Sequence, residues 1–265
     1  MDPGQRLGSL SIARKPGVSV PTLAAPRRVV TLFVTGTDTG VGKTRTACAL
    51  LRLARAEGIR ACGWKPVASG CERAADGLRN ADALALQEAA GTQEPYEKLN
   101  PYAFEPGVAP HLAAQASGHP IRVTELDRVH AELSRDYELI VVEGAGGWLA
   151  PLNDMWTFGA WAAERQWPVL LVAGMRLGCL NHALLSAESI SRRTRLAGWI
   201  ANVLPPEMPE LEGNIDALNR RLSAPCWGRL PAGAMHFVNA GAVLENLKRL
   251  LNEASKDEDG VTPGK

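Results

Sequence analysis

The chain has no excess of charge of either sign, no long apolar run and few cysteines. Its 265 residues include 29 Lys and Arg against 28 Asp and Glu, so neither nucleic acid nor a membrane surface is indicated as a partner. Apolar runs such as 168–173 are far shorter than the roughly 20 residues of a membrane-spanning helix. The five cysteines are scattered and show no CxxC spacing, which argues against disulfides and a zinc site. These features favour a cytoplasmic protein.

The two ends of the chain differ in composition from the middle. We expect 1–26 and 253–265 to be disordered extensions of one domain that spans 27–252. The N-terminal segment has no continuous apolar block, so it is not a secretory signal. It contains Arg and few acids, as organellar transit peptides do, which is the weaker alternative to disorder.

A glycine-rich turn follows the apolar, β-branched run 29–35. The turn closes on Gly42, Lys43 and Thr44, and an amphipathic helical pattern begins at once. Strand, loop and helix in this order form a phosphate cradle, because the N–H groups and the dipole at the helix N-terminus attract an anion. Lys43, expected to be exposed, would reach the β- and γ-phosphates, and Thr44 would bind Mg²⁺. The chain is therefore predicted to bind a nucleoside triphosphate.

The loop differs from the standard P-loop by one residue. Five residues rather than four separate Gly36 from Gly42, and Thr37 takes the standard position of the first glycine. A chance Gly-Lys-Thr sequence is the alternative, but the flanking strand and helix are the context that supports such a motif.

Strand-like and helical runs alternate from residue 29 to about 252. This alternation predicts an α/β fold: an open, mostly parallel sheet with helices on both faces, in the three-layer α/β/α manner of P-loop NTPases. Ligands in such sheets bind beyond the carboxyl ends of the strands. The Pro-rich stretch 92–120 is expected to be a loop with a short helix over one end of the sheet. The predicted strands are 29–35, 59–65, 139–142, 168–173, 196–203 and 226–230; the predicted helices are a first one ending at Gly58, 80–90, 124–134 with Thr124 as its cap, 181–193, 210–222 and 241–251.

Charged side chains stand where these predicted strands and helices meet loops. Glu143 follows the strand 139–142 and precedes a glycine-rich turn, a usual place for a second Mg²⁺ ligand, although it could instead only cap the turn. Lys65 ends the second strand, where a lysine can stabilise a transferring phosphoryl group, but a lone lysine there is more often simply exposed. Asp82 by itself indicates only a favourable interaction with its helix dipole.

Seven short segments together match the sequence pattern of one enzyme family. They are Val34-Thr-Gly-Thr-Asp-Thr39, Val41-Gly-Lys-Thr44, Lys65-Pro-Val-Ala-Ser-Gly70, Gly77-Leu-Arg-Asn80, Asp82-Ala-Leu-Ala-Leu-Gln87, Val142-Glu-Gly-Ala-Gly-Gly-Trp148 and Leu177-Gly-Cys-Leu-Asn-His182. From about Val29 to Leu230 the chain resembles dethiobiotin synthetase, the ATP-dependent carboxylase of biotin synthesis, whose elongated phosphate loop accounts for the extra residue. The resemblance implies an ATP- and Mg²⁺-dependent homodimeric ligase. Such an enzyme closes the ureido ring of dethiobiotin from 7,8-diaminopelargonate (7,8-diaminononanoate) and CO₂ through a carbamate and a carbamic–phosphoric anhydride, releasing ADP and phosphate.

The resemblance also implies roles for individual residues. Lys43 and Lys65 would be the catalytic contacts of the phosphates and the carbamate, and Mg²⁺ would be held by Thr44, Asp82 and Glu143. The implied nucleotide-binding residues are Thr39, Gly40, Val41, Gly42, Lys43, Thr44, Arg45, Glu143, Gly144, Ala145, Gly146, Asn202 at the adenine, Val203, Pro231, Ala232 and Gly233. The implied diamine-binding residues are Ser69 and Gly147 with Gly178, Cys179, Leu180 and Asn181 of the second subunit.

The last four of these residues open a helix, and a helix N-terminus suits the substrate's distal carboxylate. From the residues alone, the turn could instead simply cap its own helix, with Asn181 as the cap. Two segments depart from the family pattern: Val203 stands where an acidic residue is frequent, and 232–239 is smaller and less acidic. Both departures lie on the base side, so they bear on nucleotide selectivity more than on the chemistry.

Two other classes of protein share parts of this pattern. An amidotransferase-type synthetase, such as a cobyrinate amidation domain, would need a glutaminase domain with a catalytic Cys, for which the chain has no room. A ParA-like partitioning or signalling ATPase would lack the substrate-side motifs at 65–70 and 178–182.

Overall fold

A six-stranded, fully parallel sheet forms the centre of the protein. The structure, a computed structural model, describes residues 29–256. The strands lie in the order β10-β9-β8-β1-β7-β2, and each neighbouring pair is parallel. Their bounds are β1 (Val30–Gly36), β2 (Ala61–Trp64), β7 (Leu139–Glu143), β8 (Val169–Met175), β9 (Leu196–Val203) and β10 (Cys226–Leu230).

Helices cover both faces of this sheet. Successive side chains of a strand point to opposite faces, so Phe33 packs into one hydrophobic cluster while Leu32 and Val34 pack into the other. All residues of β1, β7 and β8 are buried, which explains their continuous apolar sequences. The predicted three-layer α/β/α fold is confirmed. The helices are α1 (Lys43–Ala56), α2 (Ala81–Ala90), α3 (Tyr96–Leu99), α4 (Pro110–Ser117), α5 (Val123–Leu133), α6 (Phe158–Glu164), α7 (Cys179–Ser191), α8 (Leu211–Arg221) and α9 (Ala240–Lys256).

Two small strand pairs lie outside the central sheet, and the sequence pattern did not predict either. β3 (Val67–Ala68) pairs in parallel with β6 (Tyr102–Ala103), and β4 (Glu72–Ala74) forms a hairpin with β5 (Gly77–Arg79). The stretch 92–120 is more regular than expected, because it contains α3, β6 and α4. These elements cover the end of the sheet beside β2.

Several predicted boundaries and helix caps are wrong. β2 begins at Ala61 rather than at residue 59. α5 begins at Val123 with Arg122 as its N-cap, so Thr124 lies inside the helix and does not cap it. α7 begins at Cys179, so Asn181 is not its cap either. Gly178 takes that place because its φ of 94° is left-handed, a conformation that glycine adopts without steric cost.

The last helix, α9, runs beyond its predicted end. Val243, Leu247 and Leu250 of α9 are buried against the sheet, and Ala254 packs at the edge of the same cluster. This helical spacing keeps 253–256, the first part of the expected disordered tail, in the helix. The rest of that tail and the expected extension 1–26 lie outside the described residues. Among residues 29–256, no helix combines the length and apolar character that crossing a membrane requires.

Candidate active site

A cavity of about 710 Å³ opens at the carboxyl ends of β1, β2 and β7. It brings together residues from five separate parts of the sequence, as expected for a site at the edge of a parallel sheet. Predicted site residues that line it are Thr39, Gly40, Gly42, Lys43, Thr44, Arg45, Lys65, Ser69, Asp82, Glu143, Ala145, Gly146 and Gly147. Val41 and Gly144 lie behind this wall, where Val41 is buried and the Gly144 amide donates to the Val34 carbonyl.

The loop between β1 and α1 has the backbone shape of a phosphate cradle. Gly40 and Gly42 adopt left-handed φ angles of 73° and 90°. A Cβ on Gly42 would lie 2.1 Å from the side-chain nitrogen of Asn202, so only glycine fits there. No side chain caps the N-terminus of α1, and its first turn carries no acidic residue. The helix dipole and the unpaired N–H groups therefore face the cavity.

Lys43 is buried, which corrects the expectation that it is exposed. Its residue is 7% exposed, because the aliphatic stem packs under the loop that it follows. Its Nζ donates a hydrogen bond to the Asp38 carbonyl at 3.0 Å. Burial, together with the positive charge of Lys65, lowers the pKa of Lys43 to about 8. The ammonium is folded back on its own loop, in a place where a phosphate would be a better partner.

Lys65 joins two carboxylates from different elements. Its Nζ lies 2.5 Å from Oε1 of Glu143 and 3.1 Å from Oδ2 of Asp82. Burial disfavours the charge of Lys65, but the attraction of both carboxylates outweighs it and raises the pKa of Lys65. For Asp82, burial is likewise outweighed by the attraction of Lys65, so its pKa is lowered. Lys65 and Asp82 are therefore both held in their charged forms around neutral pH.

Local structure fixes the position of each member of this triad. Lys65 directly follows β2, and its backbone carbonyl accepts a hydrogen bond from the side chain of Asn100 at 2.7 Å. Asp82 lies in the first turn of α2, which Asn80 caps by accepting from the Asp82 and Ala83 amides. Glu143 is the last residue of β7, the strand between β1 and β2. Neither asparagine was predicted as a site residue, although Asn80 has the residue type and position of a helix cap.

The oxygens beside Lys65 fit a magnesium ion. The Thr44 hydroxyl donates to Oε1 of Glu143 at 2.9 Å, while Oε2 of Glu143 is buried without a hydrogen-bond partner. An unsatisfied buried carboxylate oxygen is costly, and a hard cation would satisfy it. Residues 29–256 hold no cluster of three or more His, Cys, Asp or Glu side chains. Mg²⁺ does not require one, because it is commonly bound through one or two carboxylates, waters and substrate phosphates.

The proposed diamine side of the cavity has an apolar wall that the sequence did not single out. Gly107, Val108, Ala109 and Pro110 line it, together with Ala150 and Pro151. The only signal in the sequence was the Pro-rich stretch expected over one end of the sheet.

The predicted carboxylate dock at 178–181 does not line the cavity of its own chain. Gly178 is exposed, and its neighbour Leu177 is 96% exposed. The same loop contacts the phosphate loop through Arg176, which forms an ion pair with Asp38. The role of 178–181, predicted for the second subunit, stays a prediction.

The base-side residues are held close to the phosphate loop. Asn202 is fully buried and its Nδ2 donates to the Val41 carbonyl at 2.6 Å, while its Oδ1 has no hydrogen-bond partner. The Arg45 guanidinium donates to the carbonyls of Pro231 and Ala234 at 2.5 and 3.1 Å. Val203 is buried, and Ala232 and Gly233 lie in the turn between these carbonyls. Contacts of these residues with a base stay predictions.

Known proteins share this sequence over most of its length. A family model described as an AAA domain matches residues 30–234. ATP-dependent dethiobiotin synthetase BioD of Xanthomonas oryzae pv. oryzae (strain PXO99A) is 49% identical over 200 residues, 75% of this chain and 89% of the relative. The protein of that name from Pseudomonas paraeruginosa (strain DSM 24068 / PA7) is 50% identical over 201 residues, 75% of this chain and 88% of the relative. The chain belongs to the dethiobiotin synthetase family.

Membership of the dethiobiotin synthetase family confirms the resemblance carried by the seven segments. It also confirms an ATP-dependent enzyme with a nucleotide-binding P-loop, despite the extra residue in that loop. Similarity to solved structures is more distant. The signal recognition particle receptor FtsY from Elizabethkingia anophelis has a TM-score of 0.47 at 16% identity, over 85% of this chain and 67% of that chain.

Proposed function

We propose that this ATP-dependent ligase forms dethiobiotin from 7,8-diaminononanoate, CO₂ and MgATP. One amine of the substrate captures CO₂ as a carbamate, and a carbamate oxygen attacks the γ-phosphorus, displacing ADP. The second amine attacks the carbonyl carbon of the resulting carbamic–phosphoric anhydride and expels phosphate, which closes the ureido ring. Membership of the dethiobiotin synthetase family supports this reaction for the chain.

The observation that carries the proposal is the convergence of two lysines and two carboxylates in one cavity. Lys43 and Lys65 are both buried there, beside Asp82 and Glu143. Positive charge fixed in a dry site stabilises the negative charge that spreads over a transferring phosphoryl group. No nucleophilic side chain is needed, since the reaction requires mainly positioning and electrostatic stabilisation.

Each residue has a defined part in this scheme. Lys43 binds the β- and γ-phosphates together with the N–H groups at the start of α1, and Lys65 contacts the carbamate and the γ-phosphate. Mg²⁺, held by Thr44, Asp82 and Glu143, neutralises charge on the phosphates when bound. Ser69 and Gly147 contact the diamine, whose methylene chain suits the apolar wall at 107–110. Asn202 and the Pro231–Gly233 turn accommodate the adenine.

We further propose a homodimer in which 178–181 of one subunit binds the substrate carboxylate at the cavity of the other. Leu177 and Leu185, beside and on α7, are 96% and 58% exposed. Large apolar side chains exposed close together are typical of protein interfaces. A second subunit at this surface would cover them and would complete a site that one chain leaves open.

Two alternatives predict different use of ATP. A ParA-like switch ATPase hydrolyses ATP slowly without any small substrate, and an amidotransferase consumes glutamine. The cavity favours the ligase, because Ser69 and the apolar wall provide room for a small molecule next to the phosphate loop.

Product analysis tests the proposal directly. Incubation with MgATP, bicarbonate and 7,8-diaminononanoate should yield dethiobiotin by mass spectrometry, with one phosphate released per product. Omission of either small substrate should abolish phosphate release. Lys65→Gln should form product roughly 10- to 100-fold more slowly, while Lys248→Gln, at a surface lysine paired with Glu57, should keep the wild-type rate. Phosphate release that continues without the diamine would instead indicate a switch ATPase.

A further inference from the structure

The ammonium of Lys65 lies between the two carboxylates that are proposed to bind Mg²⁺. Its Nζ is 2.5 Å from Glu143 and 3.1 Å from Asp82, while Oε1 of the same Glu143 carboxylate also accepts from Thr44. Both contacts are ion pairs in which the ammonium donates to a carboxylate oxygen. The amine therefore uses one oxygen of each carboxylate, and a metal ion bound by both Glu143 and Asp82 would compete with it for the space between them.

We propose that Lys65 is a resident cation of the metal site, so that its ammonium and a divalent metal ion exclude one another between Glu143 and Asp82. In the protein without nucleotide, Lys65 neutralises the carboxylates and keeps metal affinity low. When the nucleotide brings its metal, Lys65 is displaced toward the negative charge of the phosphates. The inference rests on the metal site of the proposed function.

Burial makes this competition strong. The side chain of Lys65 is 5% exposed and that of Glu143 is 1% exposed, so neither group can find an alternative partner in bulk water. The Asp82 side chain is partly exposed, but a charged carboxylate as buried as that of Glu143 is costly without a nearby cation. The chain supplies such a cation of its own.

The charges in the cavity explain why a metal ion without nucleotide should bind weakly. Asp82 and Glu143 are matched by Lys65 and Lys43 in the same cavity, so the four groups are formally neutral. A divalent ion entering alone would leave an excess of positive charge in a poorly solvated place. A metal ion that arrives with a triphosphate adds negative charge, and this offers both lysines new partners. Metal and nucleotide should therefore bind together.

Metal binding without nucleotide tests the inference, with Mn²⁺ as an EPR-visible probe for Mg²⁺. Lys65→Met keeps the length of the side chain and removes its charge. We expect this variant to bind one Mn²⁺ at least ~10-fold more tightly than the wild type in the absence of nucleotide. The double variant Lys65→Met/Glu143→Gln should lose this increase in Mn²⁺ affinity. Equal Mn²⁺ affinity of Lys65→Met and the wild type, within about twofold, would overturn the inference.

Lys43→Met is the matched control. It removes an ammonium from the same cavity, but one that is bonded to the Asp38 carbonyl and to neither carboxylate. If the total positive charge of the cavity were all that weakened metal binding, both methionine variants would gain the same Mn²⁺ affinity. That result would disprove the competition between Lys65 and the metal ion. A larger gain for Lys65→Met supports it.

Thermal unfolding gives a second readout. Lys65→Met leaves two carboxylates unmatched, so it should melt at a lower temperature than the wild type, and Mn²⁺ should restore much of the loss through linkage. Without nucleotide, Mn²⁺ should raise the melting temperature of the wild type only slightly. A variant that folds only with Mn²⁺ would support the inference more strongly, whereas one that no metal stabilises would contradict it. Lys65→Gln, which can still donate one hydrogen bond to Glu143, should show a weaker form of both effects.

Failure of the proposed function gives a different pattern. If Glu143→Gln binds Mn²⁺ as well as the wild type does in the presence of ADP, the proposed metal site is wrong and the inference fails with it. If Glu143→Gln weakens that binding but Lys65→Met does not tighten binding without nucleotide, the metal site stands and only the role of Lys65 is overturned.

Discussion

The phosphate side of the cavity and the loops around it are built in contrasting ways. On the phosphate side, Lys65 and Glu143 come from the ends of neighbouring strands and are almost completely buried. Around it, the segment 176–178 before α7 and the 231–234 turn are largely exposed. One arginine ties each of them to the phosphate loop or to α1. The charged groups proposed for the chemistry are thus fixed by the core, while the proposed carboxylate dock and the turn beside the base lie at the surface. Changes on the two sides should differ in size and in the step that they affect.

The largest effect is expected at Lys43. Lys43→Met preserves most of the packed stem but removes a charge aimed at the phosphates, so kcat/KM should fall at least ~10²-fold, as for loss of one preorganised electrostatic donor. Steady-state kinetics measures this loss, and circular dichroism checks that the buried substitution leaves the fold intact. Near-normal turnover would show that Lys43 is not the phosphate lysine.

A smaller and more selective effect is expected at Lys65. In the proposed function, its contacts with carbamate and γ-phosphate develop mainly in the transition state. Lys65→Gln should then lower kcat roughly 10- to 100-fold with little loss of ATP affinity. Turnover measurements and calorimetric ATP binding separate the two quantities. A loss of binding in proportion to turnover would contradict this role.

Burial of Lys43 also predicts a pH dependence of nucleotide binding. With a pKa of about 8 in the empty site, Lys43 becomes neutral above that pH, and phosphate binds only the ammonium form. Binding should therefore take up a proton above pH 8, and ATP affinity should fall up to ~10-fold per pH unit there while staying constant below pH 7. Calorimetry in buffers of different ionisation heat measures the uptake. The dependence should vanish in Lys43→Met; if it persists, another group titrates.

Mixed dimers test whether the exposed segment 178–181 of one subunit completes the site of the other. Lys43→Ala disables the phosphate loop of one chain, and Gly178→Glu places a negative charge at the carboxylate dock of another. Random subunit exchange should then restore up to about one quarter of wild-type activity, because half of the dimers carry one intact composite site. Gly178→Ala is the control for backbone strain at the left-handed position. No recovery despite demonstrated exchange would mean that each chain supplies its own dock.

The smallest effect is expected at Arg45, which holds the Pro231–Ala234 turn. Arg45→Met should weaken ATP binding by about threefold, as for loss of one or two hydrogen bonds, and leave kcat unchanged. Affinity for inorganic tripolyphosphate should not change, since that ligand has no base. Arg55→Met, on the exposed part of the same helix, is the control. Equal weakening of ATP and tripolyphosphate would place the effect of Arg45 on the phosphates instead.

The sequence predicted the contiguous features of the fold and site well. The phosphate loop is one unbroken strand, turn and helix, and the buried strands β7 and β8 appear as apolar runs with no polar interruption. The roles of residues that depend on partners distant in the sequence were harder to predict. Lys65 and Asp82 became strong candidates only through the family resemblance, because no local pattern shows that a lysine will meet Glu143 from 78 positions away.

Two further features had no adequate sequence signal. The burial of Lys43 depends on a stem packed beneath the loop, whereas the residue type alone favours exposure. The hairpin of β4 and β5 is too short and too exposed for an apolar alternation to mark it. In each case tertiary contacts, rather than local propensity, decide the outcome.

The strand that leads into the phosphate loop does not pair with the strand that follows it in the chain. β1 lies between β7 and β8, with Val30 opposite Leu139 and Phe33 opposite Val169, and β2 pairs with β7. During synthesis, the phosphate loop, α1 and Lys65 leave the ribosome more than 70 residues before β7, which begins at Leu139. Closing such long loops costs entropy and slows folding. Nascent chains that stop before β7 should therefore have no nucleotide pocket, and they would depend on chaperones until the centre of the sheet can form.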